Sequence, residues 1–224
     1  SFFSLTMKII RLLLFLLTIW FINQVRGQQP AHFILGENQF KGVQIYDMIQ
    51  DNEDYFYFAT NEGIIHYDFI NFTKLPTVEA RSNAFFNLVK NKKGIIFFNN
   101  LNNQIFKIEN NRSQLVYTLP ERFSSNIITL TCNDQGQLII ACRGILIISE
   151  EGKLIRAEES PAVFNTSHRL SNGSWIFPQS NDTKLLIYDN KTFRETELLL
   201  NGEKSNHIFG VLQFIHFLDS LYAV

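Results

Sequence analysis

The chain has 224 residues, 46% of them hydrophobic and 14% aromatic, with 22 phenylalanines. That is apolar mass enough for a sizeable core, and it excludes a disordered, collagenous or coiled-coil chain. Charged residues make up 18% and the formal net charge is −1, so no basic surplus exists to neutralise a phosphate backbone, which excludes nucleic acid as a partner.

In chain order, the first element is a targeting segment. Residues Leu12 to Ile22 are apolar except for Thr18, follow Lys8 and Arg11, and precede Val25 and Gly27, small enough for a signal-peptidase site. The stretch is short for a bilayer span and fits a secretory signal over residues 1–27, with Met7 as the true start and a retained signal anchor as the alternative. Cleavage removes Lys8, Arg11 and Arg26 from the 20 bases and leaves all 21 acids, a net charge of −4. Cys132 and Cys142 would then meet an oxidising compartment. A hairpin around Asn133–Gly136 sets Cys132 opposite Leu138 and Cys142 opposite Ile128, so two free, buried thiols are expected and no disulfide framework or zinc signature.

The remainder repeats. Turn positions Asp54, Gly94, Gly136, Gly173 and Ser220 are spaced by 40, 42, 37 and 47 residues. Two residues after each stand Phe56, Ile96, Leu138, Trp175 and Tyr222, and four after stand Phe58, Phe98, Ile140, Phe177 and Val224. Nine before are Ile45, Phe85, Ile127, Phe164 and Val211, and six before are Met48, Leu88, Leu130, Ser167 and Phe214.

Each unit holds four short runs rich in Ile, Phe, Val and Tyr, separated by Asn, Asp and Gly, which read as strands. In the third unit they are Ile127–Cys132, Gln137–Ala141, Ile145–Ser149 and Lys153–Arg156, and in the fourth Val163–Ser167, Trp175–Phe177, Leu185–Tyr188 and Arg194–Leu198. The middle runs are the most apolar, as strands covered on both faces should be, and the fourth is more polar, as an edge should be.

Four antiparallel strands per forty residues is the unit of a β-propeller, and no single blade can bury both faces alone. The expected fold is therefore all-β, a propeller of four-stranded antiparallel blades over residues 28–224. Its blades fall at about 40–75, 80–119, 123–156, 160–198 and, in part, 207–224. A β-sandwich has no reason to repeat the same columns. Under five units is an incomplete propeller, so a fragment of a longer protein is expected.

The first unit carries Asp51, then Tyr57-Phe58-Ala59-Thr60-Asn61-Glu62-Gly63 and Tyr67-Asp68. This resembles the two-component-regulator propeller repeat, the periplasmic sensor module of Bacteroidetes-type histidine kinases. Asp51, Ala59, Thr60, Asn61, Gly63, Tyr67 and Asp68 keep that pattern, with Tyr57 where tryptophan is usual. The lead-in Phe33–Glu37 looks like such sensors too. Asn99-Asn100 replace Ala-Thr in the second unit, the third keeps Ala141, and the fourth keeps Tyr188-Asp189.

The resemblance implies an extracytoplasmic ligand-sensing domain of an inner-membrane histidine kinase. A small-molecule or oligosaccharide ligand would bind at the loops, and pairing as a homodimer and a transmembrane helix would come from regions beyond this chain. The alternatives are an exported propeller enzyme, a polysaccharide lyase or glycosidase, and a surface binding propeller without signalling output.

No catalytic, cofactor or metal site is read from these residues. The motif residues suit strand ends and tight turns. The histidines (His32, His66, His168, His207 and His216) lack ligand spacing, and His66 reads as a partly exposed strand residue. Asp51-Asn52-Glu53-Asp54 lacks the glycine and distal glutamate of a calcium loop. Glu150-Glu151 and Glu158-Glu159 are adjacent pairs that a strand would split between two faces. Six Asn-x-Ser/Thr sequons, at Asn71, Asn111, Asn165, Asn172, Asn181 and Asn190, would be glycan acceptors in a eukaryotic secreted protein and turn chemistry without glycans in a bacterial one. No phosphate loop, nucleophile elbow or zinc-protease motif is present.

Overall fold

Most of the described strands are short because turn-forming Asn, Asp and Gly interrupt the apolar runs. A computed structural model describes residues 36–164, 166–179, 184–197, 199–200, 203–204, 214–217 and 220–223, the last four runs as backbone only. The chain divides into two units, Ser1–Glu37 and Asn38–Val224, and the description below concerns the second. The signal segment over residues 1–27 lies outside the described residues, as do His32, His207, Asn165 and Asn181. Among the described residues no helix is long and apolar enough to cross a membrane.

The first sheet orders β1 (Ile45–Gln50), β2 (Phe56–Thr60), β3 (Ile64–Tyr67) and β4 (Phe72–Leu75) as a four-stranded antiparallel meander. The second repeats it with β5 (Phe85–Lys90), β6 (Ile96–Asn100), β7 (Gln104–Glu109) and β8 (Arg112–Thr118). In the third, β9 (Thr129–Cys132) and β11 (Leu154–Val163) flank β10 (Leu138–Ile148). β10 takes both middle positions: Leu138–Ala141 pairs with β9, while Arg143 and Ile145–Ile148 pair with β11. The fourth sheet orders β12 (His168–Arg169), β13 (Trp175–Pro178), β14 (Lys184–Tyr188) and β15 (Phe193–Glu197). Two hairpins follow, β16 (Leu199–Leu200) with β17 (Glu203–Lys204), and β18 (Phe214–Phe217) with β19 (Ser220–Ala223).

The sheets stack in chain order, with three apolar clusters between them. Tyr57, Ala59 and Ile64 meet Phe85, Phe98 and Phe106. Phe97 and Ile105 meet Leu138, Ile140 and Leu146. Ile139, Ala141 and Ile147 meet Phe164, Phe177 and Tyr188. Strand alternation explains the division: in β10 the even-numbered residues face the second sheet and the odd-numbered ones the fourth. Both faces are therefore buried, and the middle strands read as unbroken apolar runs. First strands lie next to first strands, β1 by β5 and β5 by β9, so they form the inner edge and the polar fourth strands the outer one.

The apolar columns mark the face turned to the preceding sheet. Ile96 and Phe98 face the first sheet, Leu138 and Ile140 the second, and Trp175 and Phe177 the third. Phe58, in the same column of the first sheet, joins Ile65, Tyr67, Phe40 and Phe72 on the opposite face. Met48 is 55% exposed, although its counterparts Leu88 and Leu130 are buried, because the first sheet has no sheet before it among the described residues.

Three details depart from the sequence reading. In the third unit the inner-strand burial falls on Ile128, and Ile127 is exposed. The outer strand expected at Lys153–Arg156 continues to Val163, which pairs with Arg143. The first strand of the fourth unit is expected at Val163–Ser167 but pairs at His168–Arg169, with only a bridge from Phe164 to Gln179 before it. Val163 is held by the third sheet and so is not free to begin the fourth.

Both cysteines are free. β9 and β10 pair Cys132 with Leu138 and Ala141 with Thr129, a register that carries Cys142 on to Ile128. Burial pushes the Cys142 thiol up to about 12, and burial with the Glu150 charge pushes Cys132 up to about 12. Neither forms thiolate near neutrality, so both are expected to resist iodoacetamide in the folded chain and to alkylate only in denaturant. Mass spectrometry of labelled native protein checks this, and prompt native labelling would contradict it.

Candidate functional site

The eight motif residues all lie in the first sheet, Tyr57, Ala59 and Thr60 in β2, Tyr67 at the end of β3, and Asp51, Asn61, Gly63 and Asp68 in its turns. Asp51 opens the first turn. Its Oδ1 accepts from the N–H groups of Glu53 at 2.8 Å and Tyr55 at 3.0 Å, and its own N–H donates to the Tyr55 carbonyl at 2.9 Å. Asn91 and Asn133 build the same turn in the next two sheets, each Oδ1 accepting two N–H groups. The turn closes on a residue with positive φ, at Asp54 (69°), Gly94 (88°), Gly136 (79°) and Gly173 (83°). The repeat anchors are thus the left-handed positions of four equivalent hairpins, where glycine carries no Cβ penalty.

Thr60 and Gly63 close the next turn. The Thr60 N–H and Oγ1 both donate to the Gly63 carbonyl, at 3.0 and 2.7 Å. Asn61 ties the turn to the lead-in segment, its Oδ1 accepting from Gln44 N–H at 2.8 Å. Ala59 is fully buried against the second sheet.

Tyr67-Asp68 forms a local device that recurs at Tyr188-Asp189. Tyr67 stacks on Phe72 at 4.2 Å and Tyr188 on Phe193 at 4.6 Å. Asp68 Oδ1 accepts from Asn71 N–H at 2.6 Å and Ile70 N–H at 2.9 Å, and Asp189 Oδ1 from Thr192 N–H at 2.6 Å and Lys191 N–H at 2.9 Å. Those N–H groups hold both carboxyls below the usual carboxylate range, with Asn71 and Thr192 the largest causes. A depressed folded pKa adds stability above the ordinary carboxylate pKa, and that stability is lost as pH falls through the folded value. The double variant Asp68→Asn/Asp189→Asn keeps an acceptor oxygen at each turn but cannot titrate. Its melting temperature is expected to fall less than the parent's below about pH 4, and parallel losses would show that the two turns do not contribute.

Tyr57 is buried at the junction of the first two sheets, and its hydroxyl donates to Asn111 Oδ1. Burial first, then Asp51 and Glu53, pushes it up to about 12. Beside it opens a cavity of about 300 Å³ walled by Glu53, Tyr55, Glu109 and Asn110. At the equivalent place between the second and third sheets, Glu150 fills the gap, accepting from Asn91 Nδ2 at 3.1 Å and pairing with Lys93 at 3.0 Å. The cavity's polar groups are largely committed to the fold. Asp51 serves its turn, Tyr57 binds Asn111, and Lys93 binds Glu150.

His66 is buried, not partly exposed, because β3 turns it toward the second sheet. Its ring lies 4.7 Å from Tyr57 and 5.5 Å from Tyr55, and Nε2 has no hydrogen-bond partner. Glu151 accepts from Ser149, and Glu159 pairs with Arg122. The described sequons Asn71, Asn111, Asn172 and Asn190 stand in hairpin turns. Among the described residues no group of His, Cys, Asp or Glu could hold a metal.

Sequence reasoning missed the polar links between sheets. Asp47 Oδ2 accepts from Leu88 N–H at 2.7 Å, and Asn87 Nδ2 donates to the Ile128 carbonyl at 2.6 Å. Both stand seven residues before a turn anchor, a polar column hidden among the apolar ones. Asp134 joins three sheets, pairing with Lys92 and Arg169, which hold its carboxyl below the usual range. Gln104 is buried and pins the linker between the first two sheets, donating to the Glu79 carbonyl at 2.9 Å and accepting from Arg81 N–H at 2.8 Å.

No protein-family model matches the chain, and no curated protein does. Solved structures do. Virginiamycin B lyase from Staphylococcus aureus, in its selenomethionine form, is similar with a TM-score of 0.58 at 16% identity, over 69% of this chain and 56% of that one. The fold is a β-propeller.

Two similar propellers are extracellular domains from B. thetaiotaomicron. One, from a protein described as a hybrid two-component system, has a TM-score of 0.57 at 16% identity over 86% of this chain and 28% of that one. The other, from a protein described as a one-component system, has a TM-score of 0.58 at 12% identity over 80% and 27%. The chain therefore spans little more than half of the lyase and about a quarter of each extracellular domain. The four sheets are blades, with β1, β5, β9 and β12 as their inner strands.

Proposed function

We propose that the chain is the extracytoplasmic, ligand-sensing propeller of a membrane-bound two-component sensor histidine kinase. The supporting observation is a coincidence of two kinds of likeness. The first blade resembles the sensor-type repeat at Asp51, Ala59–Asn61, Gly63 and Tyr67-Asp68, and the fold is similar to the extracellular domains of two signalling proteins. In this function the propeller stands in the periplasm, a small molecule or oligosaccharide binds at blade-end loops, and a change in how two propellers pair passes through membrane helices. The output is a shift between pre-existing states, as large as the ligand's differential affinity for them.

Reading the gene in frame beyond Val224 tests this. A membrane-spanning segment followed by a histidine kinase is expected. A frame with neither refutes the sensor function. The similarity to lyases favours one rival, an exported propeller enzyme, and turnover of a polysaccharide panel by the purified protein would establish it instead. A sorting tail in place of a kinase would mark a surface binding propeller.

A further inference from the structure

The end of the first two blades opposite the Asp51 turn holds a second cavity, of about 290 Å³. It lies between the Glu62-Gly63 turn, the end of β4 and the linker into the second blade. Leu75, Pro76 and Phe85 supply its apolar wall, with Leu75 and Phe85 buried. Four polar side chains border it: Glu62, Lys74, Thr77 and Asn83. Among the described residues none of the four has a side-chain hydrogen bond or ion pair, and the Thr77 hydroxyl is shut off from solvent without a partner. The Ser113 hydroxyl, on the residue bridged to Thr77, is likewise buried and unsatisfied.

These features belong together. Glu62, Lys74 and Asn83 border the opening with side chains uncommitted within the described fold. The cavity is also preformed, because Gln104 clamps Glu79 and Arg81 and so fixes the linker that makes one wall. An apolar pocket with a few convergent polar groups is the usual form of a small-molecule site. The cavity beside Tyr57 differs in that Asp51, Tyr57 and Lys93 on its wall are already bonded within the fold.

We infer that this cavity binds a free amino acid, with Lys74 taking its carboxylate, Glu62 its ammonium, Asn83 a further hydrogen bond, and the Leu75–Phe85 wall its side chain. Charge selects this class. An anion alone would face Glu62, a cation alone would face Lys74, and a neutral sugar would bring hydroxyls but no charge to match either. The site stands whether or not the chain reports to a kinase.

The test is calorimetric titration and thermal shift of the full chain with the common L-amino acids one at a time, and with their N-acetyl amides. At least one amino acid is expected to bind and raise the melting temperature, and its N-acetyl amide is not. Lys74→Met and Glu62→Gln are each expected to weaken binding about tenfold or more while keeping the ligand-free melting temperature. The inference is overturned if no amino acid binds the folded chain, if the N-acetyl amides bind as well, or if binding survives unchanged in Lys74→Met and Glu62→Gln.

Discussion

Gly144→Ala is expected to lower the melting temperature by about 6–12 °C, the equivalent of about 3 kcal/mol for a domain of this size. Gly144 has φ of 108°, where side-chain-bearing residues rarely go, in the middle of β10. The conformation alone costs about 1–2 kcal/mol. Space adds to it: a Cβ there would lie 2.4 Å from the Glu158 carbonyl oxygen and 2.9 Å from the Phe123 ring. Phe123 is fully buried and Glu158 is paired to Ile145, so neither can retreat without opening the third blade. Thermal unfolding followed by circular dichroism reads the effect, and a melting temperature within about 2 °C of the parent would show that β10 and β11 are not packed this closely.

Phe98→Ala is expected to cost about 3–5 kcal/mol, as truncation of a fully buried phenylalanine does. Phe98 has no exposed surface, stacks on Phe106 at 5.3 Å and meets Phe85 edge-on at 5.0 Å. It is also the second blade's contribution to the face turned toward Tyr57 and Ala59 of the first. Truncation therefore weakens a junction between blades, and blades in such a fold depend on their neighbours for a core. Met48→Ala is the contrast. It also occupies an apolar column, but it is more than half exposed and should shift stability by no more than about 0.5 kcal/mol. Chemical denaturation of the two variants separates the cases. Equal losses would mean that the column position, and not the preceding blade, determines burial.

Forty-residue spacing made the blades legible because the turn anchors carry a backbone requirement, positive φ, that only a few residue types meet. The apolar column is legible because Ile96, Leu138 and Trp175 each face the preceding blade. Legibility failed where one residue answered to two blades. Val163 is apolar enough to begin the fourth blade but pairs with Arg143 in the third, and Ile127 and Ile128 are equally apolar although only the second is buried. His66 looked half exposed because strand alternation does not say which face another sheet will cover.

Polar links were harder still. Asp47, Asn87, Asp134 and Gln104 read as ordinary surface residues, because their partners lie in other blades or in the linker, between 23 and 42 residues away. The cavity bordered by Lys74 and Thr77 has no local signature either. It exists only once Gln104 has fixed the linker against the second blade. The turn motif at Asp51–Asp68, by contrast, was visible at once, and its residues serve the hairpins that hold the blade.

The sensor function is tested most directly by phosphorylation of the full-length gene product in membrane vesicles supplied with radiolabelled ATP. Phosphate on a histidine, labile to acid and stable to base, is the expected result, with its level changing when the propeller is occupied. Full-length protein that is membrane-embedded and folded but takes up no phosphate, under any ligand that binds the propeller, would contradict it.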